Sequence, residues 1–149
     1  MPIFEVTYPE GALTPEARSQ LLEDLTTALL RAERAPDTEF FRNVTWSYVH
    51  ELPAGCVNAA GQPVEQATFR IDVTTPEGAL SDRRRAELVA GATEVVANVV
   101  GEIDGEPPAT WVLCKEIDEG SWGAGGAVIA FKALREAAAA EREAEVASA

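Results

Sequence analysis

The chain has 149 residues, with 12 Lys and Arg against 25 Asp and Glu, so its formal net charge is −13. Apolar residues make up 46% and charged residues 25%, as expected for one globular domain. The acidity argues against nucleic-acid binding, which requires a basic surface, and against binding to an anionic membrane. One histidine and two cysteines without CxxC spacing predict neither a metal site nor a disulfide framework, and we expect no cofactor.

The chain shows no targeting signal. Its first residues lack a basic region followed by a long apolar run, so they do not resemble a signal peptide. No stretch approaches the roughly 18 uninterrupted apolar residues that indicate a membrane span. These features predict a cytoplasmic protein, in which Cys56 and Cys114 stay reduced and act as small apolar residues.

An internal repeat organises the sequence. The pentapeptide Pro9–Leu13 recurs as Pro76–Leu80, 67 residues later, and the apolar positions on both sides match at the same offset. Further on, Trp46 matches Trp111 at an offset of 65. We therefore predict one domain over residues 1–129, made of two fused units (about 2–65 and 67–129), followed by a helical tail over residues 130–149.

Each unit begins with a predicted strand, because Phe4–Tyr8 and Phe69–Val73 place an apolar residue at every second position. A helix follows. The first is expected to start with a Thr cap and Pro15, the second with a Ser cap, and the second to end near Gly101. A last strand is predicted at about 44–51 in the first unit and about 110–117 in the second.

These elements predict an α+β fold of tandem β-α-β units. A β-α-β unit places its two strands in parallel with a right-handed crossover. Two units side by side give a four-stranded, mostly parallel-paired sheet with two helices on one face. The other face is left bare, so we expect self-association through it. The tail from Ala130 is rich in Ala, Glu and Arg, which favours a weakly packed helix.

Pro2 is the first candidate for chemistry. Removal of Met1 leaves a proline with a free secondary amine at the start of a core strand. An amine held beside apolar residues is desolvated, which lowers its pKa and makes it available as a base near neutral pH. The simpler interpretation is an ordinary proline with no catalytic role.

With this feature the chain resembles the tautomerase superfamily, the 4-oxalocrotonate tautomerase-like proteins that use an amino-terminal proline as base. The matching features are Pro2-Ile3, the loop Glu10-Gly11, the strand-closing Glu51 and Glu116, and the glycine-rich turn Gly120–Gly126. The resemblance covers residues 2 to about 129 as two fused copies.

The resemblance implies a tautomerase or isomerase with a MIF-like fold that moves a proton in a small enol or keto acid through Pro2. Short members of the family assemble as hexamers, so a fused chain implies a homotrimer. The second copy has Phe69 where the first has Pro2, so one active site per chain is expected. The implied partner is a small anionic substrate.

The chain departs from the family at its substrate-binding arginines. The two positions after the loop Glu-Gly are Ala12 and Ala79, and those early in the last strands are Trp46 and Trp111. The loop of the second copy has no arginine either, so the dehalogenase residue set is absent. The run Arg83–Arg85 opens a helix, and a solvated surface is its simpler interpretation.

Five side chains remain as candidate substrate-binding residues. They are Trp122 in the glycine-rich turn and Arg70, Lys115, His50 and Tyr48 on the strands. For Arg70, the alternative interpretation to substrate binding is cross-strand pairing with an acid such as Glu5. For Trp122, the alternative is packing. Two alternatives to a tautomerase stay open at this point: a Pro2-dependent hydratase or dehalogenase acting on an unsaturated acid, and a non-catalytic oligomeric binding module.

Overall fold

The computed structural model describes residues 2–148. Its two repeats contain corresponding strands and helices, and two small hairpins and a final helix are added to them. The elements in chain order are β1 (Ile3–Pro9), α1 (Pro15–Glu33), α2 (Glu39–Asn43), β2 (Trp46–Leu52), β3 (Asn58–Ala59), β4 (Gln62–Pro63), β5 (Thr68–Pro76), α3 (Asp82–Val100), β6 (Ala109–Ile117), β7 (Gly123–Ala124), β8 (Ala127–Val128) and α4 (Phe131–Ser148).

The main sheet has four strands in the order β2-β1-β5-β6. Each repeat contributes a parallel pair, β1 with β2 and β5 with β6, and the two repeats join through the antiparallel pair β1 and β5. The predicted α+β fold with a mostly parallel-paired sheet is therefore confirmed.

The helices α1 and α3 cover one face of this sheet. Every second residue of β1 and β5 points into the space beneath them, which is why the alternation in the sequence identified these strands. The strand side chains in this core are Phe4, Val6, Tyr8, Phe69, Ile71 and Val73, and the main helix side chains are Leu21, Leu25, Leu29, Leu88, Ala92 and Val96.

The helix starts follow the predicted caps. The Thr14 hydroxyl accepts a hydrogen bond from the Ala17 N–H at 3.1 Å, and α3 ends at Gly101, whose φ is 81°. The short helix α2 is not predicted, because five residues are too few to show a helical period.

The second face of the sheet carries no helix and is rich in exposed aromatic side chains. Trp46 is 59% exposed, Tyr48 46% and Trp111 72%. Burying such large apolar surfaces is favourable, so this face suits a contact with another protein surface.

Helix α4 packs more firmly than its alanine-rich sequence predicts. It begins at Phe131, which is 2% exposed and lies edge-on to Trp122 at 6.2 Å between ring centroids. Near its other end, Glu141 accepts a hydrogen bond from the Thr38 hydroxyl at 3.0 Å. Among residues 2–148, no helix combines the length and apolar character needed to cross a membrane.

Candidate active site

Pro2 is held immediately before β1. Its side chain is fully buried, and its carbonyl accepts a hydrogen bond from the Trp46 N–H at 3.2 Å. Because Pro2 has the same parity along the strand as Phe4 and Val6, it belongs to the face of the sheet that α1 and α3 cover. The strand pairing therefore fixes the position of this residue.

The antiparallel pairing of β1 with β5 shows what lies next to Pro2. Ile3 is opposite Thr74, so in the same antiparallel register Pro2 lies beside Thr75. Thr75 immediately precedes Pro76 in the chain. Pro76 and the turn that follows it line a cavity of about 550 Å³. The end of α1, the start of α3 and helix α4 form the other walls of this cavity.

The cavity is rich in positive charge although the chain is strongly acidic. Four arginines line it, against two glutamates. These residues are Arg34, Arg84, Arg135, Arg142, Glu33 and Glu77. A cavity of this charge favours small anions.

Glu33 is the titratable group of this cavity with the strongest perturbation. Its burial raises the pKa of the carboxyl group to about 7, and the nearby positive charge of Arg84 opposes this shift. Near neutral pH, a group of this kind can both accept and donate a proton.

Arg70 and Lys115 lie on the open face of the sheet and share one carboxylate. Arg70 Nε is 2.7 Å from Asp72 Oδ2, and Lys115 Nζ is 2.9 Å from Asp72 Oδ1. Desolvation raises the pKa of Asp72, but the hydrogen bonds from both cations outweigh it, so the pKa lies below its ordinary value. The expected ion-pair partner of Arg70 was an acid on the neighbouring strand, such as Glu5. The structure instead pairs Arg70 with Asp72 on the same strand.

Tyr48 and His50 lie on the same open face. His50 Nε2 is 2.9 Å from Glu5 Oε2, and Tyr48 is opposite Glu5 in the parallel register of β1 and β2. Four of the five side chains considered for substrate binding are therefore on the opposite side of the sheet from Pro2, within one chain.

Trp122 lies behind the cavity wall. It packs against Phe131, and Phe131 itself lines the cavity. The glycine-rich turn therefore positions the first turn of α4.

The sequence reasoning missed Glu33 and the arginines of α4, and it treated Arg84 only as part of a solvated run. A signal for the α4 residues exists. Phe131, Arg135, Ala138 and Arg142 follow one another at spacings of three and four residues, which places them along one face of a helix.

Comparisons with known proteins agree with this architecture. Residues 70–132 match the family model described as "Tautomerase enzyme". A search of curated protein sequences gives no significant match.

Several solved structures share the fold over nearly the whole chain. One is a fused 4-OT that forms an asymmetric trimer, with 26% identity, a TM-score of 0.72, and coverage of 89% of this chain and 98% of that chain. Another is Pt0534 inactivated by 2-oxo-3-pentynoate, with 25% identity, a TM-score of 0.71 and the same coverage. N1, a member of the cis-3-chloroacrylic acid dehalogenase family, is 22% identical over 85% of this chain and 82% of that chain, with a TM-score of 0.70, and shares the fold.

The family model matches the second unit, and the fused structures match both units with their central antiparallel pairing. The second unit is therefore a tautomerase-family domain, and the chain as a whole has the fold of the fused tautomerase-superfamily structures.

Proposed function

We propose that the protein is a tautomerase that uses the amine of Pro2, after removal of Met1, as a general base on a small enol or keto acid. The observation that carries this proposal is the fixed, buried position of Pro2 beside Thr75, the residue that precedes Pro76 in the lining of the cationic cavity. Burial disfavours the charged form of an amine, so the pKa of the Pro2 amine is expected below its ordinary value.

The reaction needs one group that takes a proton and returns it elsewhere. In the proposed step the Pro2 nitrogen removes the proton of an enol hydroxyl group, and the carbonyl forms as the double bond shifts. The resulting prolinium then donates its proton to the carbon that gains electron density. No net electron transfer or additional reactant is required.

The first test is the dependence on a free Pro2 amine. Ketonisation of phenylpyruvate enol is measured for the wild type, for Pro2→Ala and for a form that retains Met1, with intact-mass measurement of each amino terminus. The proposal predicts a loss of at least about 100-fold in kcat/KM for both altered forms, because general-base catalysis is removed. Equal rates in all three forms would exclude it.

The second test labels the proposed base. The structural neighbour Pt0534 is described as inactivated by 2-oxo-3-pentynoate. A secondary amine adds to the alkyne of such a reagent, with one N–C bond formed, one π bond lost and the amine proton transferred to carbon. We expect one adduct per chain on Pro2 and none in Pro2→Ala. Halide release from 3-chloroacrylate without enol ketonisation would instead identify the hydratase or dehalogenase alternative.

We also propose that the chain assembles as a homotrimer. Two fused 4-OT structures, each 26% identical to this chain, are asymmetric trimers. The open face of the sheet with exposed Trp46 and Trp111 supports the same assembly here, because a chain of this architecture otherwise leaves large aromatic surfaces in water. In such an assembly Tyr48, His50, Arg70 and Lys115 stay candidates for contact with a neighbouring subunit or a substrate.

A further inference from the structure

Helix α4 forms one wall of the cavity beside the Pro76 turn. The opposite wall comes from α1, α2, the turn after β5 and α3. The α4 residues that line the cavity follow one face of the helix, and they are Phe131, Leu134, Arg135, Ala138 and Arg142. The cavity therefore lies between α4 and the rest of the domain, so the position of α4 determines how far the cavity is open to water.

The first turn of α4 is fixed by apolar burial. Phe131 is 2% exposed, and its ring lies edge-on to Trp122 with centroids 6.2 Å apart. The Phe131 N–H donates to a Glu119 carboxylate oxygen at 3.0 Å. Just before the helix, the Ile129 N–H donates to the Trp122 carbonyl oxygen at 2.8 Å. Detaching this end would expose a buried aromatic ring to water, which is unfavourable.

The far end of α4 is held by two polar contacts instead. The Thr38 hydroxyl donates to Glu141 Oε2 at 3.0 Å. Arg142 Nη1 donates to the Arg34 carbonyl oxygen at 2.6 Å. The two arginines are exposed, and Thr38 and Glu141 are half-buried, so water can replace both hydrogen bonds at a small net cost. This end therefore separates from the domain more readily than the Phe131 end.

Within residues 2–148, the first unit has no counterpart of α4. After the hairpin β3–β4 the chain enters β5 at Thr68, whereas after the corresponding hairpin β7–β8 it enters α4 at Phe131. Helix α4 lies against the turn that follows β5, and this is the end of the β1 and β5 pair at which Pro2 lies. The added helix therefore serves the end of the strand pair that carries Pro2.

We propose that α4 is a lid over this cavity, hinged at its first turn and latched at Glu141 and Arg142, which opens to admit a ligand and closes to exclude water. The movement itself does not depend on the reaction. Its catalytic meaning rests on the proposed function of Pro2. Thr75 lies beside Pro2 and precedes Pro76 in the cavity lining, so closure would keep water away from proton transfer there.

The lid is tested by the reactivity of a thiol placed under it. Ala79 lines the cavity, so Ala79→Cys in a Cys56→Ser background introduces a thiol there. Its modification by N-ethylmaleimide in the full chain is followed by peptide mass spectrometry, with Cys114 on β6 as the internal reference. We expect this thiol to react at least about 10-fold more slowly than the exposed Cys56 of the wild type.

Substitutions then release the latch. Glu141→Ala combined with Arg142→Ala removes both polar contacts, leaves the net charge unchanged and keeps a residue that favours helix. We expect the introduced thiol to react about 10-fold faster, with Cys114 unchanged. Lys132→Ala combined with Glu136→Ala is the matched control. It removes an exposed ion pair within α4, also without a change in net charge, and should leave the rate unchanged.

Two results overturn the lid. One is an equal rate in the latch and control variants, and the other is a thiol under α4 that reacts as fast as Cys56. The outcome is separable from the role of Pro2. If Pro2→Ala retains enol ketonisation while the latch variant exposes the thiol, the lid stands and the catalytic proposal fails. If Pro2 is required but latch release leaves the thiol rate unchanged, the catalytic proposal stands and the lid fails.

Discussion

The rings of Tyr8 and Phe69 pack against each other with centroids 5.6 Å apart and a tilt of 36°. In the internal repeat, Phe69 corresponds to Pro2 and Tyr8 corresponds to Thr75. Thr7 is opposite Arg70, so the next residues, Tyr8 and Phe69, lie side by side. At the other end of this strand pair, Pro2 lies beside Thr75 in the same register. The space that would form a second Pro2-like site in each chain is thus filled by two aromatic rings.

Phe69→Ala should destabilise the fold without creating a second site. Phe69 is 2% exposed, and removing a buried aromatic ring lowers the free energy of unfolding by about 3 to 5 kcal/mol. Urea denaturation measures this loss. Phe40→Ala is the control, because Phe40 is 48% exposed and should change stability by about 1 kcal/mol or less. Two 2-oxo-3-pentynoate adducts per chain in the Phe69 variant would contradict the interpretation.

Asp72→Asn should weaken the sheet most near neutral pH. Asp72 is 6% exposed and binds both Arg70 and Lys115, so removing its charge should lower the free energy of unfolding by about 1 to 3 kcal/mol. Its pKa is lowered by folding, so this stabilisation is present above the ordinary pKa and is lost as the pH falls through the folded-state pKa. Urea unfolding at several pH values measures both effects. Asp118→Asn on the exposed loop after β6 is the control, and equal losses in the two variants would refute this role.

Glu33→Gln should change the pH dependence of stability in the opposite direction. The pKa of Glu33 rises from 4.5 to about 7 on folding, so between these values the folded chain binds more protons than the unfolded chain. The free energy of unfolding should therefore fall as the pH rises through this window, by up to about 3 kcal/mol, and less so in the variant. Unfolding experiments from pH 4 to pH 8 measure the slope. An exposed control, Glu94→Gln, should keep the wild-type slope.

Trp111→Glu should dissociate the proposed trimer. Trp111 is 72% exposed on the open face of the sheet, so a charge there would be buried against a neighbouring subunit. We expect the trimer to dissociate at concentrations about 30-fold or more above those of the wild type, as measured by sedimentation equilibrium. Val89→Glu places the same charge on the outer side of α3 and should leave assembly unchanged. A wild type that sediments as a monomer would contradict the trimer.

Much of the fold is readable from the chain because its signals are local or repeated. The alternation in β1 and β5, the Thr14 cap and the glycine after α3 each act within a few residues, so their effects are visible in sequence. The recurrence of the pentapeptide Pro9–Leu13 as Pro76–Leu80 then predicts the same structure in both units. The place of Pro2 at the start of a strand is a local signal of the same kind.

The remainder of the candidate site depends on distant contacts. Arg70 and Lys115 have the right charge for a carboxylate, but Asp72 already binds both, on the face away from Pro2. The local sequence around Arg84 does not indicate a binding role, because a cation in the first turn of a helix is unfavourable to the helix dipole. Its value as a candidate follows from the Glu33 carbonyl, 51 positions away in the chain.

The sequence alone determined that two β-α-β units are fused and that only the first carries Pro2, because strand alternation, helix caps and the repeat are encoded locally. Tertiary structure decided where positive charge gathers in a chain of net charge −13, because the arginines of the cavity come from the C-cap of α1, from α3 and from α4. Pairing and burial between distant segments set which cations are neutralised and which face a cavity, and no local pattern records that.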